Sequence, residues 1–166
     1  MHLRIRLLVP VAIAATLLVG FAPNSPVATV SAATPSEAQQ IITIARAQVG
    51  DRYQWGAMGP NAFDCSGLVI YAYRAAGDRR AIRDGTLRTA RSMYLYFKSR
   101  GLASRSNPRL GDLVVWGSGS HIGIYVGAGK AISALTNGVR VHYISAFSSP
   151  FTAYLHTGMS TRYSNA

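Results

Sequence analysis

Apolar residues change their spacing along this chain near residue 100. Before that point they recur every three or four positions, which predicts helices over residues 35–49, 65–76 and 87–99. Beyond it, short apolar runs alternate with glycines and an Asn-Gly pair, which predicts strands. These runs cover residues 113–116, 122–126, 131–135, 139–144 and 151–156. Helices followed by a meander of strands indicate an α+β domain.

Capping residues predict where the helices begin and end. Thr34-Pro35-Ser36-Glu37 has the pattern of a capping box with proline at the first helical position, and Gly50 follows the helix. Asp64 is a suitable N-cap for the second helix. Because residues 50–63 and 78–85 are rich in glycine or arginine, we expect both stretches to be loops.

The N-terminus has the pattern of a secretion signal. Two arginines precede an apolar run from Leu7 to Phe21, and small residues offer a cleavage site at Val30-Ser31-Ala32. The alternative is a membrane anchor, but the run is shorter than the roughly 20 residues of a span and contains a proline. We expect a signal peptide over 1–32, an exported domain over 33–158 with no stable membrane insertion, and a flexible tail over 159–166.

The formal charge is +11 at pH 7, and it falls to +9 when Arg4 and Arg6 leave with the signal. Such a field attracts polyanions. Export argues against nucleic acid and favours an anionic cell-wall polymer, in a secreted or wall-associated protein. Solubility combined with an arginine-rich genome explains the charge equally well.

Cys65, the one cysteine of the chain, directly follows the predicted cap Asp64. An exported protein with a single cysteine cannot form an internal disulfide, so its thiol is either buried and inert or retained for its reactivity. The first turn of a helix favours a thiolate, because its unpaired N–H groups and the helix dipole stabilise negative charge. We therefore interpret Cys65 as a candidate nucleophile.

A cysteine nucleophile needs a base, a group that orients the base, and donors for the oxyanion. His121 enters a predicted strand after a Gly-Ser run, where its side chain can face a helix N-terminus packed on the sheet. His142 and His156 lie inside predicted strands, and we interpret them as satisfied surface or core imidazoles.

Four motifs resemble, in order and spacing, the signatures of the NlpC family of papain-like cysteine peptidases, which cut the stem peptides of bacterial peptidoglycan. They are Tyr53–Gly56, Phe63–Val69, Gly111–Trp116 and Ser120–Gly127. The resemblance implies a papain-like α+β fold with N-terminal helices, whose nucleophile helix packs on an antiparallel β-sheet. It also implies an exported endopeptidase for the D-glutamyl–diamino acid bond of stem peptides, with no metal or cofactor.

Carried over residue by residue, the resemblance makes Cys65 the nucleophile of an acyl-enzyme mechanism and His121 its general base. The backbone N–H of Cys65 and the hydroxyl of Tyr53 are the implied oxyanion donors. Asp64 and Ser66 match positions that contact the free amino end of the stem peptide, although Asp64 also suits the helix cap.

The tryptophans Trp55 and Trp116 are candidates for lining the groove, with core packing as the alternative for both. The segment from Phe147 onward is poorly matched to the family, and we assign it no role.

The chain departs from the family at the third catalytic position, twelve residues after the base, where a histidine is usual and Ser133 stands here. A serine can accept the imidazole N–H of His121, directly or through water, but it cannot offset imidazolium charge. We expect an active but slower enzyme. His142 and Asn137 are the alternatives for this role.

Two other functions stay open at this point. One is a catalytically weak or inactive wall-binding protein on the same scaffold, and the other is an acyltransferase using the same cysteine and histidine. One cysteine and scattered histidines lack the spacing of metal ligands, so we expect no metal site.

Overall fold

A computed structural model describes residues 36–158 of the chain. The expected signal peptide over 1–32 and the expected tail over 159–166 lie outside the described residues. The described residues contain three α-helices, with these bounds: α1 Glu37–Ala47, α2 Cys65–Ala75 and α3 Ala90–Lys98. The strands are β1 Arg52–Tyr53, β2 Ala62–Phe63, β3 Ala103–Ser104, β4 Leu113–Trp116, β5 His121–Gly127, β6 Lys130–Leu135, β7 Gly138–Tyr143 and β8 Phe151–Leu155.

Six of these strands form one antiparallel sheet in the order β3-β8-β4-β5-β6-β7. The central strands β4 to β7 are consecutive hairpins, and β8 returns to the other edge of β4. The two-residue strands β1 and β2 pair in parallel outside this sheet. The predicted α+β class and the five predicted strands are confirmed.

Helix α2 packs against β5 and β6 and forms the centre of the main core. Its residues Leu68 and Val69 are fully buried, as are Ile122 and Ile124 of β5. Burying such side chains stabilises a fold by about 1.5–3 kcal/mol each. This packing holds the first turn of α2 at the point where β5 begins.

The opposite face of the sheet carries a second, aromatic cluster. Trp116 is fully buried there, and its indole Nε1 donates to the carbonyl of Ile144 at 3.1 Å. The segment that follows β7, which contains a short 3-10 turn at Ile144–Ala146, folds back over this face and brings Phe147 against Trp116. The core interpretation of Trp116 is thereby confirmed.

The expected capping box at the first helix is wrong by two residues. Ser36 is the N-cap: its hydroxyl accepts the N–H of Gln39 at 3.3 Å, and the Gln39 side chain accepts the N–H of Ser36 at 3.1 Å. Glu37, the expected partner, is instead the first helical residue. A serine followed three residues later by glutamine satisfies the same rule, so the register could not be chosen from the pattern alone.

Three further boundaries differ from the prediction. Helix α3 begins at Ala90 because Thr89 caps it reciprocally with Ser92. The expected loop over 50–63 contains β1 and β2, and β3 was not predicted at all. Two-residue strands carry no alternation from which a sequence pattern could reveal them.

Within residues 36–158, no helix has both the length and the apolar character needed to cross a bilayer.

Candidate active site

The thiol of Cys65 lies where the start of α2 meets the start of β5. Asp64 caps the helix by accepting the N–H of Gly67 at 2.6 Å, which confirms its capping role. The backbone of Ile122, next to His121, hydrogen-bonds to the Cys65 thiol. The start of α2 therefore lies against the start of β5, as expected.

Gly67 makes a close backbone approach possible in this first turn. A Cβ at this position would lie 2.0 Å from the carbonyl oxygen of Ala57, a distance that no real side chain tolerates. The same carbonyl accepts the N–H of Asp64 at 2.9 Å. The loop before the cysteine is thus held directly against the helix that carries it.

Asp64 is the centre of a buried polar network. Arg88 grips its carboxylate with two nitrogens, at 2.6 Å and 3.1 Å, and also donates to the Ser66 hydroxyl at 2.8 Å. Ser66 donates to Asp64 at 3.1 Å, and the N–H of Gly56 donates to it at 3.0 Å. Burial by itself raises the pKa of Asp64, but the hydrogen bonds from Arg88, Gly67 and Ser66 outweigh it and hold that pKa below its ordinary value.

An open cleft of about 290 Å³ lies over the thiol. It is lined by Trp55, Gly56, Asp64, Cys65, Ser66, Arg88, Thr89, Ala90, Gly119 and Ser120. Trp55 stands 86% exposed at its rim, unlike the buried Trp116. The cleft therefore joins the thiol, a carboxylate, a guanidinium and an exposed aromatic ring, which suits a charged peptide substrate.

Burial raises the pKa of the Cys65 thiol above its ordinary value, and the charge of Asp64 adds to the effect. Backbone groups of Ile122, Ser66 and Cys65 itself act in the opposite direction but do not outweigh burial. The helix N-terminus favours a thiolate, as expected, but burial has the larger effect on the pKa of Cys65. The resting thiol is neutral and needs a base to remove its proton.

His121 is half-buried at the start of β5, next to the residue whose backbone contacts the thiol, and its ring is held by aromatic contacts. The Phe147 ring stacks on it with centroids 4.5 Å apart and an interplanar angle of 16°, and the Trp116 ring lies at 5.5 Å. Burial, followed by the charge of His142, lowers the pKa of His121 to about 4. The imidazole is therefore neutral at neutral pH, as a general base must be.

The two ring nitrogens of His121 have different surroundings. Nε2 is buried and makes no hydrogen bond to any atom within residues 36–158. The sulfur of Cys65 is among the atoms that do not bond to Nε2, so Nδ1 is the nitrogen available to a thiol.

Ser133 does not make the expected direct hydrogen bond to His121. Its fully buried hydroxyl lies 2.7 Å from Nε2 of His142 on the neighbouring strand β7. In the sheet register Ser133 lies between Gly123 on β5 and Arg140 on β7, two residues along each strand from His121 and from His142. Its role as the third catalytic residue stays a prediction.

The remaining histidine belongs to a separate structural network. His156 contacts the buried carboxylate of Asp112 at 2.9 Å through Nδ1 and the hydroxyl of Ser104 at 2.7 Å through Nε2. The same carboxylate accepts backbone N–H groups of Arg109 and Thr157. This imidazole ties β8 to β3 and β4, which confirms its interpretation as a satisfied histidine.

Tyr53 lies close enough to Cys65 for the charge of that residue to act on its phenol. Burial raises the pKa of this phenol, and the charges of Cys65 and Asp64 raise it further. Its ring also packs against the main core. Electrostatic proximity to the thiol agrees with the expected oxyanion role but does not test it. Among residues 36–158, no group of three or more metal-ligating side chains is found.

Two residues at this site were not predicted. Arg88 lies 24 residues from Asp64, in a stretch where arginines are common, and its neighbours gave no signal of the contact. Phe147 lies in the segment to which no role was assigned, yet it covers the imidazole of His121. Only the folding of distant segments against one another brings either residue to the site.

Comparison with known proteins gives one family. Residues 50–159 match the sequence model of the NlpC/P60 family. A probable endopeptidase of Corynebacterium glutamicum is 38% identical over 108 residues, which are 64% of this chain and 47% of that protein. Murein DD-endopeptidase MepH of Escherichia coli is 39% identical over 104 residues, 59% of this chain and 36% of that protein. The chain spans about half, or less, of the length of the curated relatives it matches.

Solved structures give the same fold. NlpC2 from Trichomonas vaginalis superposes with a TM-score of 0.61 at 25% identity, covering 75% of this chain and 47% of that one. The NlpC/p60 domain of the peptidoglycan hydrolase SagA gives a TM-score of 0.52 at 28% identity, covering 70% of this chain and 97% of that one.

Proposed function

Since this chain belongs to the NlpC/P60 family, we propose that it is an exported cysteine endopeptidase that hydrolyses peptidoglycan stem peptides. The observation that carries the proposal is the Cys65 thiol, which lines an open cleft and is hydrogen-bonded by the backbone of Ile122, the residue that follows the neutral imidazole of His121. The names of the relatives, probable endopeptidases and a murein endopeptidase, support the same reaction.

The proposed reaction starts from a neutral thiol and a neutral imidazole. Nδ1 of His121 takes the proton of Cys65 as the sulfur attacks the peptide carbonyl, and the resulting imidazolium gives that proton to the leaving amine. Water then attacks the thioester, passes a proton to His121, and releases the acid while the thiol regains its hydrogen. The low pKa leaves the imidazole uncharged at neutral pH, but it also makes it a weak base, so the imidazolium must be stabilised as the proton moves.

The oxyanion needs donors that face the attacked carbonyl. The backbone N–H of Cys65 is among the first of α2 and has no acceptor within the helix, so it is available to this oxygen. The Tyr53 hydroxyl, close to the same thiol, is the proposed second donor.

The polar network in the cleft is the proposed binding site for the charged ends of the stem peptide. Asp64 and Ser66 are expected to contact an ammonium group, but the Asp64 carboxylate already receives five hydrogen bonds from protein donors and the Ser66 hydroxyl receives one from Arg88. An incoming ammonium must therefore share the carboxylate with Arg88. The remaining donors of that guanidinium suit a substrate carboxylate, and the exposed ring of Trp55 suits a neighbouring apolar or sugar surface.

Export and the wall partners belong to the proposal as well. The N-terminal signal pattern and the high positive charge favour a secreted or wall-associated enzyme held near anionic polymers. A wall-binding protein without catalysis and an acyltransferase are the competing functions for the same site.

Digestion of defined muropeptides, with products identified by mass spectrometry, tests the proposal. Wild type and Cys65→Ala are incubated with free stem peptides and with cross-linked dimers. A fragment ending at D-glutamate, released by the wild type alone, supports the D-glutamyl–diamino acid bond. Cleavage of the cross-link alone would instead indicate the kind of specificity that the name of MepH implies.

The competing functions give different results in the same experiment. Wild type that cuts no peptide but sediments with isolated walls would favour a binding protein. Wild type that forms an amide with an added amine faster than it forms acid would favour acyl transfer.

A further inference from the structure

The third catalytic position of this chain holds a hydrogen-bonded pair in place of one side chain. Ser133 is fully buried, and its hydroxyl meets Nε2 of His142 at 2.7 Å. On the same face of the sheet, Nε2 of His121 is buried with no hydrogen-bond partner among the described residues. His121 therefore has an N–H without an acceptor, and the Ser133–His142 pair has a buried serine oxygen that can accept a further hydrogen bond.

The direction of the serine-histidine bond follows from the other nitrogen of His142. Nδ1 of this ring lies 3.0 Å from the carbonyl oxygen of Tyr143. A carbonyl only accepts, so Nδ1 carries a hydrogen, and in the tautomer with a single ring hydrogen Nε2 is the acceptor. The Ser133 hydroxyl must then donate to His142, which leaves the lone pairs of its oxygen free to accept.

We propose that Ser133 and His142 together form the positioning element for the catalytic base. In this arrangement Nε2–H of His121 donates to the Ser133 oxygen, whose own hydrogen is held by His142. This inference rests on the proposed function. It makes His142 a positioning residue that acts through Ser133, without contacting substrate.

The packing of the sheet supports this assignment. Ser133 emerges beside Gly123, two residues after His121 on β5, where a Cβ would lie 3.0 Å from the Cβ of Ser133. Both imidazoles lie against the same Trp116 ring, at 5.5 Å and 5.6 Å between centroids. Because position 123 is a glycine, no side chain of β5 lies against the Cβ of Ser133 on the face that carries His121.

The missing bond in the free protein is compatible with this role. Catalytic hydrogen bonds are often long in free enzymes and shorten when substrate binds. A hydroxyl polarised by His142 is a better acceptor than an isolated serine, because hydrogen bonds in a chain strengthen one another. The Ser133–His142 pair therefore provides an acceptor for the N–H of His121, as a single polar third residue would do by direct contact.

A double-mutant cycle between Ser133→Ala and His142→Phe tests the proposal, with His142→Gln as the conservative variant. Phenylalanine keeps a ring beside Trp116 but removes the acceptor, whereas the glutamine oxygen reaches about the place of Nε2. His156→Gln is the matched control, because this histidine also meets a serine at 2.7 Å on the same sheet but away from the cleft.

We expect kcat on stem peptides to fall about tenfold or more in Ser133→Ala and in His142→Phe, with KM unchanged. The double variant should lie within about twofold of Ser133→Ala alone, since His142 acts only through the serine. His142→Gln should retain most of the activity, and His156→Gln should match the wild type. Thermal unfolding checks that each variant is folded.

Additive losses, or wild-type rates in both single variants, would overturn the inference. Iodoacetamide alkylation of Cys65 separates this failure from failure of the proposed function, because it requires no peptide. If the wild type cuts no stem peptide, but alkylation of Cys65 is slower in the variants and the effects of the two substitutions are non-additive, the endopeptidase is refuted and the positioning pair is supported. If the wild type cuts stem peptides and the variants cut them at the same rate, the endopeptidase is supported and the positioning pair is refuted.

Discussion

The low pKa of His121 leads to a quantitative prediction about stability. Burial and the charge of His142 move this pKa from 6.5 to about 4. The unfolded chain therefore binds a proton near pH 6.5, whereas the folded protein does not bind it until about pH 4. The free energy of unfolding must fall as pH drops through this window and be fully present above it.

The magnitude follows from the same two values. A difference from 6.5 to about 4 corresponds to about 3 kcal/mol, lost at about 1.4 kcal/mol for each pH unit within the window. For a domain of this size that is a substantial part of the total stability of about 5–15 kcal/mol.

Chemical denaturation of the wild type and of His121→Gln between pH 7 and pH 4 measures this effect. Glutamine does not titrate, so the difference between the two curves isolates His121 from Asp64 and the other carboxylates. We expect the wild type to lose about 3 kcal/mol more than the variant over this range. In the active enzyme, the acid limb of kcat/KM should lie near pH 4, because His121 must be neutral to act as a base.

Parallel stability curves for the two proteins would refute the reasoning. So would an NMR titration that finds His121 changing protonation near pH 6.5. Either result would mean that water reaches the imidazole and that the aromatic cover does not exclude it.

Three further predictions concern the surroundings of the nucleophile. Arg88→Gln removes the cation that offsets Asp64, so the thiol pKa should rise further and alkylation at neutral pH should slow. Phe147→Leu removes the ring stacked on His121, and we expect kcat to fall about two- to tenfold at constant KM. Gly67→Ala forces a methyl group onto a backbone carbonyl, so urea denaturation should reveal a loss of about 1–3 kcal/mol or more.

Each of these has a control and a contradicting result. Arg100→Gln removes an arginine at the end of α3, stacked on Tyr96, and should leave alkylation unchanged. Equal rates in both arginine variants would show that Arg88 does not act on the thiol. A Phe147 variant with normal kcat would mean that stacking does not orient the base. A Gly67 variant of normal stability would mean that the loop around Ala57 yields easily.

The helices, the main strands and the place of Cys65 in a capped first turn could be predicted because their signals are local. Apolar periodicity marked α2 and the strands β4 to β8, and Asp64 next to Cys65 marked a capped helix with a thiol in its first turn. Periodicity and capping act over a few residues, so they are visible in a single sequence. Resemblance of four ordered motifs then pointed to the papain-like fold.

The partners of the site could not be predicted, because they depend on how distant segments pack. Arg88 reaches Asp64 from the start of α3, and Phe147 reaches His121 from the far side of the sheet. Ser133 lies diagonal to both His121 and His142 in the sheet, and its hydroxyl bonds to His142.

The sequence by itself determined which residue types are available for the chemistry and on which elements they lie. Only the tertiary structure decided their protonation and their partners. The sign of the Cys65 pKa change illustrates the reason: the helix position favours a thiolate, but the depth of burial outweighs it. Burial is a property of the whole packed domain, and no local pattern reports it.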